Sequence, residues 1–195
     1  MSFGPARDLQ TPKGRANQML TRNAQGFALI DLIFVCGVIG VLSSVALPRL
    51  ALARQSAGSA SAIGSMRTIN SAQLIYALTC GSGFYAPNLT TLGTAPVGSN
   101  EPFIGGGLGS SDTVQKGVYL IQMKATPFAG SPLACNGVAG GTTGQGFMAA
   151  ADASEPSNTR FFATNSDNLI YEHTSTLFAV MPEVGPPPVG QMLAR

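Results

Sequence analysis

Histidine occurs once in this 195-residue chain, as His173, and charged side chains make up only 10% of it. No Cys, His, Asp and Glu residues stand at metal-ligand spacing, so the pattern implies neither a metal nor a cofactor. A G-x-S-x-G elbow or similar nucleophile motif is also absent. The run Gly105-Gly106-Gly107 has no Lys-Ser/Thr after it and fails the G-x-G-x-x-G spacing, so it reads as a flexible loop and not a phosphate cradle. Aspartates and glutamates are scattered singly. His173, beside Glu172 at the end of a strand-like run, reads as a solvated or hydrogen-bonded side chain. These absences point away from an enzyme. Excess charge of one sign is missing too, with a formal net charge of +2, and the monomer offers no electrostatic footprint for nucleic acid.

The longest uncharged run is what the chain does have. From Phe27 to Leu47 there are 21 residues with one ionisable carboxyl, Asp31, and no Lys, Arg, His, Asn, Gln or Pro. That is about the length an α-helix needs to cross a bilayer core. No small-x-small cleavage site follows it, as a cleaved secretory segment would require. A carboxylate within hydrocarbon is costly and rarely without a partner; the plainer reading of Asp31 is a polar residue near the interface that snorkels to water. Cys36, inside the run, reads as a small hydrophobe. Four basic residues and one acidic residue precede Phe27, a balance of +3, whereas seven basic and eight acidic follow, a balance of −1. The basic arm favours a cytoplasmic N-terminus, although Arg49 and Arg54 on the far side argue the other way.

The residue order here resembles the N-terminus of type IV pilins and of type II secretion pseudopilins. Gly26, Phe27, Leu29, Ile30, Asp31, Leu32, Val35, Ile39, Gly40, Leu42, Ala46 and Pro48 stand at that family's offsets. The resemblance implies cleavage by prepilin peptidase between Gly26 and Phe27, N-methylation of Phe27, and assembly through an acidic residue fifth after the cut. The family's acid is almost always Glu; here it is Asp31. Further implied partners are other copies of the chain or related pilins, an inner-membrane assembly platform and the membrane itself. The implied location is the bacterial inner membrane, N-terminus cytoplasmic, and then a periplasmic or cell-surface filament. Gly37 and Gly40 would let neighbouring helices approach closely.

The remainder predicts an α+β fold, a long N-terminal helix on a small antiparallel sheet. Residues 1–26 form the leader, unstructured through residue 25, and 27–47 the membrane and assembly helix. An amphipathic continuation covers 48–79, with Pro48 producing a kink or loosening and not a stop. Its apolar face is read as Leu50, Ala53, Ala57, Ala60, Ile63, Met66, Ile69 and Tyr76, with Ser, Gln, Arg and Asn opposite. Cys80-Gly81-Ser82-Gly83 closes the helix, with a glycine in the left-handed conformation. Residues 80–181 form a loop-rich domain. Within it, 84–115 is a turn-rich connection, 117–124 a strand, and 129–147 a Gly-rich loop. Residues 159–164 and 169–172 flank Asn165-Ser166-Asp167-Asn168 as a hairpin. Ser175 to Met181 is assigned an edge strand, and 182–195 a mobile Pro-rich tail. Cys80 and Cys135 can pair in an oxidising compartment; two free buried thiols are the alternative.

Two functions from different classes follow: a filament subunit processed at Gly26-Phe27, and a single-pass anchored binding module that does not polymerise.

Overall fold

A computed structural model describes residues 22–193 except Gly106 and Ser157, with side chains from Leu29 onward. The chain divides between Leu50 and Ala51 into two compact units. One helix, α1, is Arg22–Thr79, with Pro48 inside it. Pro48 therefore does not stop the helix, as expected. The expectation of an unstructured leader through residue 25 is corrected at its end, because residues 22–25 are helical. Arg, Ala and Gln are good helix formers, and extending an existing helix is far easier than nucleating one. Residues 1–21 lie outside the described residues.

In the first unit, the apolar side chains from Leu29 to Leu50 are exposed, Leu29, Ile30, Phe34, Val41 and Leu47 each by more than half. The second unit holds the core. Here α1 buries Ala62, Met66, Ile69, Ala72 and Tyr76 at three- and four-residue steps. Met66, Ile69 and Tyr76 of the face read in the sequence are inside and Ile63 packs against them, whereas Leu50, Ala53, Ala57 and Ala60 are exposed. Ser59, Ser65, Asn70 and Gln73, assigned to the solvent side, are buried.

Hydrogen bonds explain the exchange. Gln73 accepts from the Ala86 N–H and donates to the Ala86 carbonyl, both at 2.9 Å. Asn70 Nδ2 donates to Thr164 Oγ1 at 2.8 Å. The hydroxyls of Ser59 and Tyr119 share a hydrogen bond of 3.0 Å, and Lys116 Nζ donates to Ser65 Oγ. A polar group whose partners are supplied by the fold is buried without the usual penalty. Gly58 completes this face, since a Cβ there would stand 2.9 Å from Val118 Cγ2. The absent side chain lets a hairpin turn lie close to the helix.

After α1, the Gly81 N–H donates to the Tyr76 carbonyl and the Gly83 N–H to the Ala77 carbonyl. Ser82 and Gly83 both take positive φ, +53° and +93°. A one-turn helix, α2 (Leu89–Leu92), is capped by Asn88. Six strands follow: β1 (Thr113–Lys116), β2 (Tyr119–Lys124), β3 (Met148–Ala153), β4 (Phe161–Asn165), β5 (Ile170–His173) and β6 (Gln191–Met192). They form one antiparallel sheet in sequential order. The result is the expected α+β fold, a long N-terminal helix packed on a small antiparallel sheet.

Several expectations change in detail. The strand expected at 117–124 forms as β2 over Tyr119–Lys124 and pairs with β1 before it, Lys116 opposite Tyr119 across the turn Gly117-Val118; Gly117 at φ +60° supplies the positive dihedral a two-residue hairpin turn requires. α2 and the first three residues of β1 lie within the 84–115 stretch read as turns only. β3 was not expected, because Met-Ala-Ala-Ala-Asp-Ala has low intrinsic strand preference. It is nevertheless, like β4, buried on both faces. Ala149 and Ala151 join the cluster containing Met66, Ile69, Ile121 and Phe162, and Met148 and Ala150 join Tyr171, Leu177 and Met181. Small side chains fit where helix and covering segment both press close to the sheet.

The hairpin of β4 and β5 forms as expected, with Thr164 opposite Ile170. Ser175 to Met181 is not a strand; it crosses the outer face of the sheet and buries Leu177 and Met181. The edge strand comes instead from the tail, where β6 pairs with β5. That tail is anchored: Asn165 Nδ2 donates to the Pro182 and Gly185 carbonyls, and Glu183 Oε1 accepts from the Thr126 N–H. Prolines lack a donor but keep an acceptor, and Asn165 uses one of them.

Candidate membrane and assembly segment

Gly26 and Phe27 lie within α1. Asp31 stands one helical turn beyond Phe27, about 6 Å along the axis, and is exposed among Leu29, Ile30, Leu32 and Ile33. Around Gly37 the helix surface forms an open apolar groove of about 410 Å³ lined by Phe34, Gly37, Val38, Val41 and Leu42. A Cβ at either Gly37 or Gly40 would meet nothing within 4 Å. The hydroxyl of Ser44 donates to the Val41 carbonyl at 2.7 Å, which satisfies the donor inside its own helix. Cys36 is a free, exposed thiol. Among the described residues, α1 is the one helix long and apolar enough to cross a membrane, by length and composition, and it is a candidate span. None of its most apolar stretch is buried within the protein.

Cys80 and Cys135 form a disulfide, Cα to Cα 4.8 Å, across 55 residues of sequence. The Cys135 N–H also donates to the Cys80 carbonyl. The bond ties the end of α1 to the Gly-rich loop before β3, and the alternative of two free thiols is set aside.

His173 closes β5 and is half-buried. Its neighbour Glu172 takes both a Nε and a Nη2 hydrogen bond from Arg160, the latter at 3.0 Å. The Arg160 guanidinium lies 5.2 Å from the Phe162 ring centroid. These guanidinium hydrogen bonds hold the Glu172 carboxyl below its ordinary range and raise Arg160 further. Asp152 moves the other way: burial raises it, partly offset by hydrogen bonds from the Thr176 hydroxyl and the Leu177 N–H. The Arg160–Glu172 pair was not read from the sequence. Its signal was the hairpin register, which sets Phe162 opposite Glu172 and so brings Arg160 alongside. No group of three or more His, Cys, Asp or Glu that could hold a metal ion occurs among the described residues.

The candidate side chains thus fall into two sets, the apolar rod with Asp31 and a polar corner at the ends of β4 and β5. Comparison with known protein families, with curated proteins and with solved structures finds no match.

Proposed function

We propose that this chain is the structural subunit of a type IV pilus or type II secretion pseudopilus-like filament, and not an enzyme. In this reading prepilin peptidase removes residues 1–26 at the inner membrane, and the new N-terminus at Phe27 is methylated. The observation that carries the reading is one carboxylate, Asp31, one turn from the proposed cut in a helix whose apolar side chains from Leu29 to Leu50 are exposed. After processing, Phe27 bears a positive α-amine. In a bundle of such helices, the ammonium of one copy meets the Asp31 carboxylate of the next. Much of that attraction offsets desolvation, so it sets register and selects correctly placed subunits more than it adds stability. Gly37 and Gly40 permit close helix approach. The helices gather inside the filament and the sheet domains face outward.

Mass spectrometry of protein purified from cells is the test. A mature N-terminus at methylated Phe27 supports the proposal; an intact Met1 or Ser2 overturns it in favour of an anchored module that stays monomeric.

A further inference from the structure

Where β4 begins and β5 ends, two cavities adjoin on the sheet domain. One, of about 330 Å³, is walled by Arg160, Glu172, His173 and Gln191. The second, of about 350 Å³, is walled by Glu155, Asn158 and Phe161. Thr159 and Thr174 belong to both. Each lies at the lower end of the volume range of small-molecule sites. Assembly through α1 makes no use of them.

The lining narrows the chemistry of an occupant. An anion requires uncommitted positive charge, but the Nε and Nη2 donors of Arg160 are committed to Glu172, and Glu155 adds a carboxylate. A divalent cation requires converging carboxylates or imidazoles, and no such group occurs among the described residues. What the walls hold is a mixture of donors and acceptors: the hydroxyls of Ser154, Thr159 and Thr174, the amides of Asn158 and Gln191, and the carboxylates of Glu155 and Glu172, the latter retaining lone pairs after accepting from Arg160. Asn158 is 6% exposed; its Oδ1 accepts from the Arg160 N–H, whereas its Nδ2 has no partner. A buried donor left unpaired is destabilising, and this one stands in the wall of a cavity. The half-buried ring of Phe161 offers an apolar face beside these polar groups.

We propose that this double groove binds a neutral saccharide. In the first cavity the hydroxyls of one ring donate to Glu172 and accept from Thr174; in the second a further ring accepts from Asn158 and Thr159 and lays its C–H face on Phe161, since the register sets Phe161 and Glu172 on opposite faces of the sheet. The Arg160–Glu172 pair, already formed, holds its carboxylate in place before the ligand arrives.

The test is saturation-transfer NMR on the full chain in a detergent without a sugar headgroup. The neutral probes are cellotetraose and N,N′,N″-triacetylchitotriose, with a sialylated trisaccharide as the anionic comparison. At least one neutral probe is expected to bind more tightly than the anionic one. Thr174→Val, an exposed substitution, and Asn158→Asp, which keeps the acceptor toward the Arg160 N–H and loses the donor, are each expected to weaken binding about tenfold or more. Thr174→Val carries the test if Asn158→Asp does not fold. The inference is overturned if neither neutral probe binds at about 10 mM, if folded variants bind as the parent does, or if the anionic probe binds best. Both variants should polymerise like the parent, so this failure is separate from failure of the filament reading.

Discussion

Gln73 is fully enclosed and holds both backbone groups of Ala86, which fixes the segment after the disulfide-bearing helix end against α1. Gln73→Leu keeps the volume roughly but strands a buried N–H and a buried carbonyl. A loss of about 2–4 kcal/mol is expected, read as a lower midpoint in urea unfolding. Glu172 and Asp152 give pH effects of opposite sign. The Glu172 carboxyl is lowered by Arg160, so its contribution is full above the ordinary glutamate value and is lost as pH falls through the folded one. Asp152 is raised by burial, so its contribution diminishes as pH rises from the ordinary aspartate value through the folded one. Glu172→Gln should therefore flatten the acid limb of stability against pH. Asp152→Asn should raise stability at neutral pH. Both effects are expected below about 1 kcal/mol, because neither side chain is fully enclosed. Denaturant melts across the acidic range measure them.

Among the elements, α1 carries two unlike jobs. Between Leu29 and Leu50 its burial must come from outside the chain; between Ser59 and Cys80 it comes from the sheet. The disulfide at its end closes a loop of 55 residues, for which chain entropy gives about 4 kcal/mol. Cys80→Ser with Cys135→Ser should accordingly lower the thermal midpoint of the sheet domain without preventing membrane insertion. Calorimetry and membrane fractionation report the two separately. β3 shows why pattern reading failed on the sheet. Its alanines carry no strand preference and no alternation, and only the close approach of material on both faces makes them suitable.

For the whole molecule, the division at Leu50 and Ala51 places every strongly buried side chain among the described residues in the second unit. Residues 51–195 alone, exported to an oxidising compartment, should be a soluble monomer with a cooperative melt. The full chain should require lipid or detergent. Asp31→Ala should leave insertion intact and reduce the protein recovered in sheared filaments about tenfold or more. Filament yield equal to the parent would remove Asp31 from the assembly contact.

Composition and order alone determined the apolar rod, its solitary carboxyl, the Gly-Phe junction, the paired cysteines' candidacy and the β4–β5 hairpin, because each depends on neighbours within a few turns or on residue type. Only the tertiary structure decided that polar side chains share the inner face of α1, since Ser59, Asn70 and Gln73 become interior residues when partners 13 to 94 positions away meet them. The same holds for β3, for the anchored tail and for the corner where Arg160 faces Glu172. In each case the stabilising contact joins segments distant in sequence, and hydrophobic periodicity carries no record of a hydrogen bond that the fold has yet to bring together.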